Sequence, residues 1–324
     1  MENKRFHEIV NVLFLISWFI IILCTSTVLF VILRYWHSHC RSVVNLLMCN
    51  SCFALFFFAI TYSVQTPSVI QQIYFDGSPP SALFCQISAC LATFSTGVVA
   101  HSCIVQAIAR FFITVLYQHK SLLTFRTTWM IIIISWLINV IIAVGLFLSS
   151  YAYQYDLESL FCMLTAHYFP TAISVSILFV FFTVFILIIL YVIILHYTIY
   201  QTRINPNSQS TLQARRNKRV FQNIIFTVSV HAVGGIPYIC CLIMNVISEA
   251  PWPLYSIQVL SLSFISAVHS IFLFVKNKQQ VKEILFARLT GLSLNTTVAT
   301  QKNNRITPYS INNRRKIQGL PTIT

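Results

Sequence analysis

Charged residues are scarce in this chain of 324 residues, and acidic residues are the scarcest. Asp and Glu together number 7, against 21 Lys and Arg, and the four charged types make up only 9% of the sequence. Glycine is also rare, with 7 residues, whereas hydrophobic residues make up 57%. A soluble globular domain carries about 25% charged residues, so this composition excludes an ordinary one. It is typical of a membrane-embedded bundle without a separate soluble domain.

Charge is also missing from long stretches of the chain. Seven intervals of 25 or more residues contain no Asp, Glu, Lys or Arg. About 20 apolar residues suffice for a helix to cross the hydrocarbon core, where a charge costs on the order of 2.5 to 3.5 kcal/mol. Hydrocarbon offers no hydrogen-bond partners, so each interval is predicted to be a membrane-spanning helix. The intervals are residues 9 to 33, 42 to 75, 77 to 109, 127 to 155, 159 to 202, 220 to 248 and 250 to 275.

The charges between these intervals predict how the bundle is oriented. Of the 21 basic residues, 19 lie in the first, third and fifth loops or after the seventh interval. The other three loops carry Asp76, Asp156, Glu158 and Glu249. Basic residues near span ends stay on the cytoplasmic side, so the amino terminus is predicted outside and the carboxyl terminus in the cytoplasm. The net charge of +14 is therefore a topology signal, and nucleic acid is not an expected partner.

Two intervals allow a second interpretation. Residues 9 to 33 are too long for the apolar core of a cleaved signal peptide, which has about 7 to 15 residues. Residues 159 to 202 are long enough for two spans, but an extra crossing would invert every later loop. We expect a single span here, roughly Phe169 to Tyr200.

Only two of the 10 cysteines are predicted to lie at the oxidising outer face. Cys85 is at the start of the third span, and Cys162 lies in the acidic loop before the fifth. A disulfide between them would hold the second outer loop across the bundle, and the alternative is two unpaired small residues. The remaining cysteines are predicted to be buried apolar fillers, except Cys40 in the reducing cytoplasm.

Arg110 directly follows the last residue of the third charge-free interval, 25 residues after Cys85. That separation is about 37 Å along a helix, so the two residues mark its opposite ends. Together with the topology, this pattern resembles the rhodopsin-like family of G-protein-coupled receptors over residues 9 to about 289. Trp136, Tyr191 and Pro237 fit the tryptophan, tyrosine and proline of that family's fourth, fifth and sixth helices.

The chain departs from the family pattern at its switching motifs. The family's Asp-Arg-Tyr is Ala109-Arg110-Phe111 here, and its sodium-binding aspartate aligns with Leu55. Its Cys-Trp-x-Pro becomes Gly234-Gly235-Ile236-Pro237. The seventh-helix Asn-Pro-x-x-Tyr becomes His269 to Leu273. A divergent member is implied, to which sodium regulation does not carry over.

The resemblance implies signalling to a heterotrimeric G protein from the plasma membrane. Movement of the sixth helix about a hinge at Gly234, Gly235 and Pro237 would expose Arg110, with Tyr191 as its partner. The alternative for Arg110 is that it reaches lipid phosphates. A basic group is expected to contact either the G protein or anionic lipid: Arg215, Arg216, Lys218 and Arg219. The rival hypothesis is a non-signalling seven-helix protein that kept the architecture and lost coupling.

The ligand is predicted to be extracellular and peptide-like, because the acidic outer loops would attract a basic peptide. The alternative for these acidic residues is that they are ordinary solvated loop residues. No span contains a carboxylate, so a small amine would lack a counter-ion. By depth alone, the candidate pocket residues are Thr93, Thr96, Tyr238, Gln258 and Ser263, each of which could instead be a packing contact between helices.

No enzymatic motif or cofactor site is predicted. Phosphate loops, nucleophile elbows and aspartyl motifs do not occur in the sequence. A zinc site at His101, His231 and His269 is the competing hypothesis, but no span offers a general acid or base. We expect residues 1 to 8 to be a short outer segment, residues 9 to 289 to form the bundle with a short amphipathic inner helix at its end, and residues 290 to 324 to be disordered.

Overall fold

The structure is a computed structural model that describes residues 2–34, 42–75, 78–116, 124–149, 152–164, 169–204, 210–247 and 250–289. The chain divides into two compact units, Met1–Asn277 and Lys278–Thr324. The first unit contains the helical bundle. Within the second, helix continues to residue 289, but the side chains lie outside the described part, so the amphipathic inner helix and the disordered tail stay predictions.

The described part of the first unit is helical apart from one β-hairpin. The elements in chain order are α1 Glu2–Arg34, α2 Val43–Ser63, α3 Thr66–Phe75, α4 Ala82–Thr114, α5 Phe125–Phe147, β1 Tyr153–Asp156, β2 Phe161–Leu164, α6 Phe169–Ser176, a π-helical segment Ile177–Phe181, α7 Phe182–Ile204, α8 Ser210–Ile247 and α9 Trp252–Leu289.

Six of the seven predicted spans appear as helices long and apolar enough to cross a membrane, within the described residues. The sixth predicted span is represented by a shorter apolar helix, Ala232–Ile247, which is the outer part of α8. The fold class is therefore an all-α bundle consistent with seven spans, as the spacing of charges indicates. The orientation of the termini stays a prediction. The words outer and inner denote the end of the bundle near the β-hairpin and the end near Arg110, respectively.

Hydroxyl side chains begin three of these helices. Ser42 accepts a hydrogen bond from the backbone N–H of Asn45 at 3.2 Å, and Thr124 accepts one from Thr127 at 3.2 Å. Ser81 does the same for Phe84, at 3.4 Å. Each cap satisfies a backbone donor that has no partner in the first turn of a helix. The second, third and fourth spans therefore begin where their sequences offer a cap.

The second charge-free interval is not one uninterrupted helix. It breaks at Val64 and Gln65, between α2 and α3, and Pro67 lies in the first turn of α3. Proline has no backbone N–H and is tolerated in a first turn, where the N–H would have no helical partner. The break leaves Gln65 buried, at 1% exposure, beside the β-hairpin.

The largest apolar cluster joins the first, second, third and seventh spans. Phe14 stacks on Trp18 with ring centroids 5.3 Å apart, and both side chains are 1% exposed. Phe161 of β2 meets Phe14 edge to face at 5.1 Å, so the hairpin contributes to this same cluster. Burying three aromatic side chains together stabilises the packing of the hairpin on the bundle.

Strands β1 and β2 pair antiparallel, with Tyr155 opposite Cys162. The Asp156 carboxylate closes the turn by accepting from the backbone N–H and the hydroxyl of Ser159, at 3.1 and 2.5 Å. Leu160 has a positive φ of 63°, an uncommon conformation for a residue other than glycine. The turn is therefore held by the aspartate rather than by a glycine.

Candidate functional site

A cavity of about 140 Å³ lies below the hairpin and is lined by residues of the second, third, fifth, sixth and seventh spans. Four of the five residues predicted to line a pocket do so: Thr93, Thr96, Tyr238 and Gln258. Met163 and Leu164 of β2 form its outer wall. The hairpin thus covers the cavity on its outer side.

Ser263 is the exception among the predicted pocket residues. Its side chain is fully buried, and its hydroxyl accepts a hydrogen bond from Trp18 Nε1 at 3.3 Å. The contact joins the seventh span to the first and directs the hydroxyl away from the cavity. Ser263 therefore has the packing role that was the alternative interpretation for each of these residues.

The hairpin is attached to the bundle by a disulfide and by two glutamines. Cys85 and Cys162 form the disulfide, with Cα atoms 5.1 Å apart, which confirms the pairing expected from the topology. Gln65 Oε1 accepts from the backbone N–H of Cys162 at 2.9 Å. Seven residues further on, Gln72 Oε1 accepts from the hydroxyl of Tyr155. Burial raises the pKa of Tyr155 to about 12, because the buried site favours the neutral hydroxyl over the phenolate.

Two polar atoms in the cavity wall have no hydrogen-bond partner in the described part of the chain. One is Oε1 of Gln258 and the other is the hydroxyl of Tyr238. The Gln258 side chain is buried, at 5% exposure. Ser176 lies close to the Tyr238 hydroxyl, but the two side chains do not form a hydrogen bond of acceptable geometry. The amide nitrogen of Gln258 donates only to the sulfur of Met163, a weak acceptor, at 3.5 Å. An unpaired buried polar group costs about 1 to 3 kcal/mol, so both atoms are suited to a ligand.

A second cavity of about 70 Å³ adjoins the first on its inner side. The two share Thr96, Gly234 and Gly235 among their lining residues, and His269 lines the inner cavity. A Cβ at Gly235 would lie 2.7 Å from Val180 Cγ1, so the sixth span touches the π-helical segment of the fifth here. The glycine at the position of the family's tryptophan therefore permits both the inner cavity and this close contact.

The histidines of the alternative zinc site are placed as follows. His101 Nδ1 lies 2.7 Å from the amide nitrogen of Asn139, which is fully buried in the fourth span. A Cβ at Gly97 would overlap the amide oxygen of Asn139, so this glycine makes room for the amide. The side chain of His231 lies outside the described part, and His269 lines the inner cavity. Among described residues, no group of three candidate ligands could hold a metal ion.

At the inner end of the bundle, Arg110 contacts the predicted tyrosine of the fifth span. Its Nη1 donates to the hydroxyl of Tyr191 at 3.3 Å. Tyr191 is 6% exposed and packs with Cys103 and Leu187. The neighbouring Ala109 is buried and offers no charge, and no ion pair of Arg110 occurs within the described residues. A tyrosine hydroxyl thus takes the place of an acid as its partner.

The other family positions are occupied by packing residues or lie outside the described side chains. Leu55, at the position of the sodium-binding aspartate, is 1% exposed in the main apolar cluster. Trp136 donates from Nε1 to Asn50 Oδ1 at 2.9 Å and so joins the fourth span to the second. Pro237 lies inside α8. The basic group of that helix falls in its inner part, where side chains are not described: Arg215, Arg216, Lys218 and Arg219.

Sequence reasoning missed several residues that shape the site. Gln65 and Gln72 were recognisable only as polar residues in an apolar interval, although their spacing of seven places them on one side of a helix. Gly97 and Asn139 gave no signal of being neighbours, because they lie in different spans. Val180 looked like any other apolar residue of the fifth span.

A comparison with protein families gives a match over most of the chain. The family described as "7 transmembrane receptor (rhodopsin family)" matches residues 25–275, which is most of the chain. A separate comparison with curated proteins found no match to this chain. The matched region includes the disulfide, the two cavities and the contact between Arg110 and Tyr191. The chain therefore belongs to the rhodopsin family of seven-transmembrane receptors.

Proposed function

We propose that this receptor lies in the plasma membrane, with its amino terminus outside, and activates a heterotrimeric G protein in response to an extracellular ligand. The observation that carries the proposal is the hydrogen bond from Arg110 to Tyr191, at 3.3 Å. Arginine is always ionised and presents several donors in a planar fork. Placed at the inner end of the third span, it can offer donors to the backbone carbonyls or carboxylates of a partner helix.

The sixth span is the element that would move. Pro237 cannot donate a backbone hydrogen bond to the carbonyl of Val233, so α8 is weakened at this turn. Gly234 and Gly235 adjoin the same turn and line both cavities. A ligand in the outer cavity would therefore act on the weak turn directly. Outward movement of the inner half of α8 would widen the space beside Arg110.

Electrostatics at the inner end also suit a partner that carries acceptors. Lys276, near the end of the seventh span, is close enough to Arg110 for their charges to interact. The basic group of α8 would add to this field, by contact with the G protein or with anionic lipid. Since Ala109 supplies no carboxylate to hold Arg110, we expect some G-protein activation without ligand.

The acidic outer loops support a peptide ligand less than the sequence suggests. Asp76 and Glu249 lie outside the described residues. The carboxylate of Asp156 is turned into its own hairpin, where it accepts from Ser159. We therefore place the ligand in the cavity below the hairpin rather than on the acidic outer loops.

The test is ligand-free G-protein activation in cells that express Arg110→Ala or Arg110→Lys at the same surface level as the wild type. Hydrogen bonds from a charged group contribute about 1.5 to 3 kcal/mol, so Ala should lower activation about tenfold or more. Lys keeps the charge but loses the fork, so activation should fall to an intermediate level. Equal activation in the wild type and Arg110→Ala would exclude the role of Arg110. No activation in the wild type, even with a broad screen of peptides and small uncharged molecules, would favour a protein that lost coupling.

A further inference from the structure

The outer cavity offers no opposite charge that could pair with a charged ligand. Its described wall consists of 16 residues, none of which is Asp, Glu, Lys, Arg or His. Most are apolar, and the polar ones are hydroxyls and one amide. Moving a charged group from water into such a site is strongly unfavourable when no opposite charge is present. A cation and an anion are therefore both disfavoured, which extends the sequence argument against amines to acids.

The unpaired atoms in the wall define which polar groups a ligand needs. Gln258 Oε1 can only accept a hydrogen bond, so it calls for a donor. The Tyr238 hydroxyl can donate, so it is satisfied by an acceptor. One hydroxyl or one un-ionised amide group supplies both. Tyr238 belongs to the sixth span and Gln258 to the seventh, so a single ligand group would connect the two spans.

The adjoining inner cavity defines where the rest of the ligand would lie. It extends from Thr96 past Gly234 and Gly235 and is lined mainly by apolar side chains, with His269 at its wall. Gly234 faces Ile265 and Gly235 faces Val180, and both of these neighbours also line this cavity. The combined space therefore suits an apolar skeleton whose polar end is directed to Tyr238 and Gln258.

We infer that the ligand of this receptor is a small uncharged molecule with an apolar skeleton and one hydroxyl or un-ionised amide group, bound between Tyr238 and Gln258. The inference rests on the proposed receptor function and specifies the ligand class of that same site. It replaces the expectation of a peptide, because a peptide carries charged or many polar groups that this cavity does not pair. The hairpin, held by its disulfide, would cover the bound molecule.

The first test measures which charge the cavity admits, using Thr96→Cys in the full chain in lipid nanodiscs. Neutral, cationic and anionic methanethiosulfonate reagents of similar size are compared by their labelling rates at residue 96, read by peptide mass spectrometry. We expect the neutral reagent to react at least about tenfold faster than either charged one, since tenfold corresponds to about 1.4 kcal/mol. Ser78→Cys, exposed between the second and third spans, corrects for intrinsic reactivity. Equal rates at residue 96, or no labelling by any reagent, would overturn the inference.

The second test measures the polar contacts with three probes that share one skeleton: adamantan-1-ol, adamantan-1-amine and adamantane-1-carboxylate. Each is tested for protection of the thiol introduced by Thr96→Cys against the neutral reagent. We expect the alcohol alone to protect, with its half-protecting concentration raised about two- to tenfold by Tyr238→Phe or by Gln258→Leu. Tyr200→Phe, at an exposed tyrosine outside the cavity, should leave the half-protecting concentration of the alcohol unchanged. Failure of the alcohol to protect, or equal protection by the amine, would overturn the inference.

These labelling results are independent of G-protein coupling. Selective labelling together with unchanged signalling in Arg110→Ala would leave the ligand class standing and remove the coupling role of Arg110. Reduced signalling in Arg110→Ala together with unselective labelling would support the coupling role of Arg110 and overturn the inferred ligand class.

Discussion

Replacing Gly235 with alanine should strain the contact between the fifth and sixth spans. The new Cβ would lie 2.7 Å from Val180 Cγ1 and 3.3 Å from Cγ2, closer than side chains tolerate. Valine is branched at Cβ and cannot swing aside easily. Overpacking of this kind costs about 1 to 3 kcal/mol. Because the same contact adjoins both cavities, the variant should also reduce the space for a ligand.

Two other glycines provide matched controls. A Cβ at Gly145 meets nothing within 4 Å, and one at Gly234 lies 3.4 Å from Ile265 Cγ2, an ordinary contact. All three substitutions gain the same helix propensity, about 1 kcal/mol, so that contribution cancels when they are compared. Relative to Gly145→Ala, we expect Gly235→Ala to be less stable by about 1 to 3 kcal/mol and Gly234→Ala to be nearly equal.

Thermal unfolding of the purified variants in one detergent measures this order. With roughly 2 to 4 °C per kcal/mol, Gly235→Ala should unfold at least about 2 °C below Gly145→Ala. Adding Val180→Ala should recover part of the loss, because it removes both methyl groups that the new Cβ would meet. Equal unfolding temperatures for Gly234→Ala and Gly235→Ala, or no recovery in the double variant, would refute the close contact.

Three further predictions concern the hairpin. Cys162→Ser should lower stability by about 2 to 5 kcal/mol in thermal unfolding, and adding Cys85→Ser should lower it no further; additive losses would contradict a shared bond. Gln65→Leu leaves the buried N–H of Cys162 without its acceptor and should cost about 1 to 3 kcal/mol, whereas an unchanged unfolding temperature would show that this contact contributes nothing. The pKa of Tyr155 is raised from 10.0 to about 12 by burial, so the unfolded chain loses its proton first and stability should fall as the pH rises through that range. Tyr155→Phe should remove the contribution of Tyr155 to this loss of stability at high pH. An identical dependence of stability on pH in the variant would show that Tyr155 does not cause it.

The spans and the disulfide could be predicted because the physical constraint on each is strong. A charge in hydrocarbon is costly enough that charge-free intervals mark the spans directly. The oxidising face leaves few cysteines to pair, and Cys85 and Cys162 do form the disulfide. Helix length alone places Arg110 at the opposite end of its span from Cys85. The family match over residues 25–275 agrees with the resemblance inferred from those residues.

Contacts between spans could not be predicted, because they depend on how each helix is rotated about its axis. Depth suggested Ser263 for the pocket, but its helix turns it towards Trp18 instead. The π-helical segment at Ile177–Phe181 shifts the register of the fifth span, and nothing in its apolar sequence indicates it. Gly97 and Asn139 fit each other closely only because the third and fourth spans meet there.

Coupling through Arg110 can be measured as guanine-nucleotide exchange on purified heterotrimeric G protein, catalysed by the receptor in lipid nanodiscs without ligand. Arg110 has a hydroxyl rather than a carboxylate as its partner, so we expect exchange faster than with empty nanodiscs. Arg110→Ala should return the exchange rate to that of empty nanodiscs. Equal rates for the wild-type receptor, Arg110→Ala and empty nanodiscs, across the heterotrimeric G-protein classes, would contradict the proposed coupling.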